Sequence, residues 1–336
     1  MKRLSLPLLA AAALLFSGCS SKQYFEPAQT YSASYATSTY GSKIVDLSRD
    51  GATLQNGQYI GKKGVQHINL GEGYRFLSES SAYVLAGNAE GKLKIINKKS
   101  GKTIRTVDLE VPIVSASVHN GMIAYILNSN AFGIYSIKAN KKVMENRSEV
   151  TYAIDTRAAS PMFIDSLVVM PMLDGKLIVL DSNNPVDAKV IYLSSDKVFN
   201  NVIFLDRMGD TMVAATPEKL ITLGVDGQME YRAEISDVAV SGSTIYLFQK
   251  DGEILKLNRM LEVLAQKKFK YAHYAASTAF GGKVYALDQQ GALIVLSSDL
   301  KKHKIYDLGE VETPVFIGGH KLYKDGKIID LSKLGY

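Results

Sequence analysis

From about residue 43 onward, short runs of Val, Ile, Leu, Tyr and Phe alternate with turns of Gly, Asp, Asn and Lys. No amphipathic helical spacing stands out in that stretch. Apolar runs of this length, bounded by turn formers, predict many short antiparallel strands. One unit recurs: an apolar run, a turn, a Gly-Lys or related dipeptide, a second apolar run, a polar turn and a further β run. Its central segments read GKLKIIN from Gly91, FGIYSIK from Phe132, GKLIVLD from Gly175, EKLITLG from Glu218, GEILKLN from Gly252, GALIVLS from Gly291 and GKIIDLS from Gly326. The preceding strand is visible in SAYVLAG, GMIAYIL, DSLVVMP, GDTMVAA, GSTIYLF, GKVYALD and GHKLYKD. An outer strand is visible in TIRTVDL, KVIYLSS, MEYRAEI and HKIYDLG.

The units begin about 34 to 43 residues apart, the period of one four-stranded propeller blade. A single four-stranded sheet cannot cover both of its own faces. Stacked about an axis, each blade covers its neighbour, so inner strands can be apolar on both sides. LIVL at Leu177–Leu180 and again at Leu293–Leu296 has that character. The glycine before each run suits the tight turn from the preceding strand. The expected fold is therefore an all-β propeller of four-stranded antiparallel blades. Six complete units run from about Tyr74 to Leu308. The remaining stretches, Lys43 to Leu70 and Thr313 to Leu331, combine into one shared blade that closes the ring and removes its open edge. That count gives seven blades; eight is the alternative, if each end builds its own.

The N-terminus has a different pattern. Lys2 and Arg3 precede an apolar segment, Leu4 to Phe16, and then Ser17, Gly18 and Cys19. About 13 apolar residues are too few to cross a bilayer, which takes roughly 20. The segment reads as an export signal. Phe16-Ser17-Gly18-Cys19 resembles a bacterial lipobox, and Cys19 is the one cysteine in the chain. The resemblance implies a signal peptide over 1–18, cleavage between Gly18 and Cys19, and Cys19 carrying S-diacylglycerol and an N-palmitoyl chain. Several acyl chains on one residue anchor firmly, at about 0.8 kcal/mol per buried methylene. Ser20 in the following position implies sorting to the outer membrane, facing the periplasm. Residues 19–42, rich in Ser, Thr, Tyr, Ala and Gln, are expected to be the lipidated N-terminus and a flexible tether, and 43–336 the propeller domain.

INKKSGKTIRTVDL, from Ile96 to Leu109, resembles the repeat of quinoprotein-like (PQQ-like repeat) propellers; GKLIVLDSNNPVDAKVIYL and GALIVLSSDLKKHKIYDL are looser copies. Together with the lipobox, the pattern is similar to the BamB family of outer-membrane assembly lipoproteins. That resemblance implies an eight-bladed, non-enzymatic scaffold whose partner is the outer-membrane β-barrel assembly machine. The chain departs from it in being short for eight blades and in having no Trp. Thr106, Tyr192 and Tyr306 stand where the blade-locking Trp of quinoprotein repeats is expected.

Composition narrows the chemistry. The 336 residues are 46% hydrophobic, with one Cys and no Trp. That excludes a disulfide framework and a multi-cysteine metal site. It also excludes the Trp floor and vicinal disulfide of a pyrroloquinoline quinone enzyme, so no cofactor is expected. Net charge is +6, or 6 − 2 = +4 without Lys2 and Arg3; it is small and evenly spread, and does not suggest nucleic acid. Asp174, Asp226 and Asp251 fall in hairpin turns, where Asp is favoured structurally. The histidines, His67, His119, His273, His303 and His320, show no metal-ligand spacing. Ser298-Asp299-Leu300-Lys301 matches Ser-x-x-Lys but lies in a Lys-rich turn, and Gly71-Glu72-Gly73 lacks the third glycine and helix of a dinucleotide loop. The pairs Lys98-Lys99, Lys141-Lys142, Lys267-Lys268 and Lys301-Lys302 are all expected between third and outer strands, discouraging edge aggregation or facing an anionic partner. The reading is a non-enzymatic, lipid-anchored scaffold for envelope proteins. The alternatives are a scaffold for a secretion or motility apparatus, and a propeller hydrolase or lyase acting on a glycan or peptide. The last would need histidines and carboxylates converging at the channel mouth.

Overall fold

The structure, a computed structural model, describes residues 23–195 and 198–336. Eight sheets of antiparallel strands follow one another around a ring. Seven blades are built from continuous chain, at 44–66, 75–108, 113–147, 162–192, 204–232, 235–268 and 274–307. The eighth joins Phe316–Gly318, Lys321–Lys324 and Lys327–Asp330 to Thr37–Thr39. In seven of the eight blades the first strand contributes to the lining of the central channel, and in each blade the fourth strand lies farthest of the four from the first.

The expected count of seven is corrected to eight. The stretch 43–70 does not share a blade with the C-terminus. It forms a whole blade of very short strands: Ile44–Ser48, Gly51–Leu54, Tyr59–Gly61 and Gly64–Gln66. Strands of three residues are below the length at which an alternation can be recognised. The ring is closed instead by residues expected in the tether. Thr37–Thr39 runs antiparallel to Lys327–Asp330, with Thr37 opposite Ile329. Just before it, Tyr31–Ser32 pairs parallel with the fourth strand of the seventh blade, Tyr31 beside Tyr306. Ala33 and Ala36, between these two strands, are buried. The proposed signal peptide, Gly18 and Cys19 lie outside the described residues.

The seven repeated segments all form third strands, as their apolar character requires. Ala131–Ser136 and Ala292–Ser297 are buried at every position. Fourth strands such as Val263–Lys268 instead alternate exposed and half-buried residues. Core clusters run across blade boundaries: Tyr246, Phe248 and Ile254 of the sixth blade pack with Val284, Ala286 and Ile294 of the seventh. A fully buried Leu or Ile is worth about 2 kcal/mol over an exposed one, against about 1 kcal/mol net for a hydrogen bond. Residue for residue, packing of blade on blade therefore stabilises the ring more than the hydrogen bonds between strands do. The largest buried aromatic residues include second-strand tyrosines, with Tyr125, Tyr285 and Tyr323 almost wholly buried. Of the three positions expected to stand in for Trp, only Tyr306 is buried; Thr106 and Tyr192 are exposed. Two lysine pairs are also corrected: Lys141-Lys142 begins an outer strand and Lys267-Lys268 ends one, rather than lying in the turn before it.

The repeat glycine has two constraints. Gly91, Gly252 and Gly291 have φ of +80°, +84° and +91°, where a side chain is strained. Their carbonyls accept hydrogen bonds from Leu109, Phe269 and Leu308, the first residues beyond each outer strand. The glycine therefore touches the linker that leads into the next blade. A Cβ on Gly291 would lie 1.9 Å from the Gly309 carbonyl oxygen, whereas one on Gly281, also at positive φ, would meet nothing. Gly291→Ala is expected to cost about 1–3 kcal/mol more than Gly281→Ala, measured by urea denaturation; equal costs would show that the linker contact does not constrain the turn.

Candidate functional site

The first strands enclose a central channel of about 1750 Å³. Its wall combines apolar side chains, among them Val45, Leu47, Val114 and Ile317, with arginine–carboxylate pairs. Val45 and Leu47 are 54% and 43% exposed, because the first strand alternates and one of its faces sees only the channel. Arg75 of the second blade reaches Asp46 of the first at 3.5 Å and donates to the Val114 carbonyl of the third at 2.8 Å. Arg49 goes further. It leaves the first turn of blade one, pairs with Asp237 of blade six at 3.1 Å, and lies 4.8 Å over the Phe204 ring of blade five. Blades five and six stand opposite blade one in a ring of eight. Arg49 is therefore a strut across the channel.

Burial pushes the Asp46 carboxyl up, against the opposing pull of Arg75. Asp155 goes the other way. Its burial would raise it too, but hydrogen bonds from Arg157 outweigh that and hold it below the usual carboxylate range. Arg157 also donates to the carbonyls of Ile235 and Ser236, tying the entry to blade four onto blade six.

A second feature stands on the same face as the channel mouth. The connections 148–161 and 193–203 are long, while the one between blades five and six is only 233–234. They are fastened together. Phe199 N–H donates to the Ala153 carbonyl at 3.0 Å. Asn201, fully buried, accepts from Asp155 N–H and donates to the Asp155 and Arg157 carbonyls. On this base sit exposed Val150, Tyr152, Val198 and Phe199, with Tyr152 89% exposed. Phe199 has φ of +50°, a strained conformation for a bulky residue and one that surrounding structure must hold.

The residues picked out in the sequence are scattered. Asp174 pairs with Lys176 within its turn, Asp226 with Arg259 of the next blade, and Asp251 with Lys268 at the end of its own blade's outer strand. His119 lies against Phe163 and His303 against Phe269; of the five histidines, His273 lines the channel. Among the described residues no three His, Cys, Asp or Glu side chains are placed to hold a metal. Sequence reasoning missed Arg49, Arg75, Arg157 and Asn201. Nothing local marks them, since each works across a blade boundary.

No family model matches the chain. Its fold is similar to the crystal structure of BamB from Moraxella catarrhalis, with a TM-score of 0.66 and 16% identity over 87% of this chain and 98% of that one. It is also similar to the computationally designed Ika8 protein, at TM-score 0.63 and 13% identity over 87% and 96%. The C-terminal WD40 domain of Sif2 follows at 0.60 and 14% over 86% and 95%. These likenesses define the fold, a β-propeller. In sequence, the chain is 28% identical to the plasminogen-binding protein PgbB of Helicobacter pylori strain J99, over 98% of this chain and 69% of that protein. The PgbB of strain 26695 matches to the same extent.

Two outcomes test the site's construction. Asn201→Ala removes the partner of two half-buried carbonyls and one N–H, and is expected to destabilise by about 1–3 kcal/mol; calorimetry showing an unchanged melting temperature would contradict the clamp. Asp155 has a lowered folded value, so its contribution is complete above the unfolded value near 4 and lost as pH falls through the folded value. Asp155→Asn should therefore lower the melting temperature at pH 7, with the gap to the parent starting to close below about pH 4 and vanishing only once the pH is under the lowered folded value. Asp46, with a raised value, carries a penalty that acidification relieves instead.

Proposed function

We propose that this chain is a non-enzymatic outer-membrane lipoprotein, held at the periplasmic face by lipids on Cys19, whose propeller is a scaffold for envelope protein partners. The observation that carries the reading is the hydrogen-bonded loop pair, whose described residues display Val150, Tyr152, Val198 and Phe199 exposed on one face. Groups of exposed large apolar residues mark interaction sites, and loops on a fixed scaffold are where binding residues concentrate. The favoured partner is the outer-membrane β-barrel assembly machine, in keeping with the likeness of fold to BamB. A hydrolase or lyase is disfavoured because the described channel gathers arginine–carboxylate pairs and amides around one histidine.

A second reading has its own support. PgbB carries plasminogen binding in its name, and the similarity to it spans 98% of this chain. The propeller would then present its loops to a plasminogen-like protein instead.

Crosslinked pull-down of the mature lipoprotein, beside a Tyr152→Ser, Phe199→Ser double variant, separates these readings. Barrel-assembly components recovered with the parent and lost with the variant are expected; their absence from the parent would overturn the assembly reading, and selective capture of added plasminogen would favour the second. Mass spectrometry of the N-terminal peptide should find Cys19 acylated, and Cys19→Ala should move the protein from the membrane to the soluble fraction.

A further inference from the structure

The channel mouth carries a set of equivalent polar side chains that the fold itself does not use. Gln55, Asn128, Lys250 and Gln289 each follow the second strand of their blade directly. Each N–H donates to a carbonyl just ahead of the same blade's first strand, those of Lys43, Pro112, Glu234 and His273. The four side chains are exposed, line the channel, and make no hydrogen bond or ion pair among the described residues. They come from blades one, three, six and seven, so they surround the opening. Below them lie Val45, Leu47 and Ile317, and the Arg49 strut crosses the channel to Asp237.

Two charges at the mouth are held in no close ion pair among the described residues. Lys250 stands on blade six, where its field helps hold the Asp155 carboxyl down. Glu72, in the connection leading to blade two, stands opposite. The other channel arginines are already paired, Arg49 with Asp237, Arg75 with Asp46 and Arg157 with Asp155.

We propose that the channel mouth binds an extended peptide segment, with an acidic residue toward Lys250, a basic residue toward Glu72 and an apolar side chain entering the channel between them. Free amides both donate and accept, which matches the repeating N–H and C=O of an extended backbone. The apolar wall below takes a side chain out of water. The opposed charges fix the direction in which the segment lies. A glycan fits less well, because sugar faces stack on open aromatic rings. The Tyr74 ring is already covered by the Lys94 ammonium at 3.6 Å, and the Phe204 ring by Arg49. The mouth borders the loop pair on which the scaffold reading rests, since Thr156 and Arg157 of 148–161 line the same channel, but none of the side chains proposed to hold the peptide belongs to that pair.

The chain has no Trp, so tryptophan emission from an added peptide is read without background. The probe is a mixture of short Trp-bearing peptides, with Lys at one end, Asp at the other and Leu, Val or Ile randomised between, titrated with the intact protein. A saturable blue shift is expected. Lys250→Ala should weaken binding at least about tenfold, or 1.4 kcal/mol, and should have no effect on peptides carrying Asn in place of Asp. Gln289→Ala should weaken both sets. Both substitutions are at exposed turn positions, and circular dichroism checks that each variant keeps the parent fold. No saturable shift, or binding indifferent to both variants, would overturn the proposal. So would displacement of bound peptide by a chito-oligosaccharide, which would assign the mouth to a glycan. If the peptides fail while the pull-down of partners succeeds, the scaffold reading stands on the loop pair alone.

Discussion

Every blade has two apolar faces, and a sheet of four strands can cover neither. That constraint governs the molecule. It is met only when the last blade covers the first, so the ring closes or its end faces stay wet. The closing strand, Thr37–Thr39, is three residues long, yet it completes the one blade assembled from both ends of the described chain. The surrounding packing, with Leu322, Ile329 and Leu331 buried beside Tyr306 and Tyr285, holds the eighth blade against the seventh. A short strand is sufficient because it fixes register, while the burial comes from the faces.

Much of this is readable from residues alone, for a physical reason. A third strand covered on both sides must be apolar throughout, and the turn before it needs positive φ, so both leave local marks. The seven segments from Gly91 to Gly326 carry those marks and all proved to be third strands. The first blade does not. Tyr59–Gly61 and Gly64–Gln66 are too short to show a period. The closing strand is equally hidden: TST is polar and exposed, and only its pairing with Lys327–Asp330 makes it a strand. The candidate sites are hidden for a third reason. Arg49 and Asp237 are far apart in sequence and meet only because an eight-membered ring puts their blades on opposite sides of one channel.

The two faces of the ring are built differently. On one, connections between blades five and six shrink to residues 233–234, while those on either side of blade four lengthen and carry exposed aromatic residues. The same face holds the amide-lined mouth. Depth is limited by Arg49, whose guanidinium is paired with Asp237 and seated on Phe204. An arginine suits this because its charge is permanent and its planar head can stack while it pairs. The long loops, the exposed aromatic residues and the unpaired amides thereby fall on one side of the ring.

The parallel strand Tyr31–Ser32 has a mechanical consequence. It lies beside the outer edge of the seventh blade, ahead of the closing strand in the chain. A pull arriving from the residue 23 side reaches that pairing, and the Tyr31 ring beside Tyr306, before it reaches Thr37. The ring's closure therefore sits behind two weaker attachments, the Phe25–Phe269 contact and this two-residue seam, which take up such a load before the closing strand does.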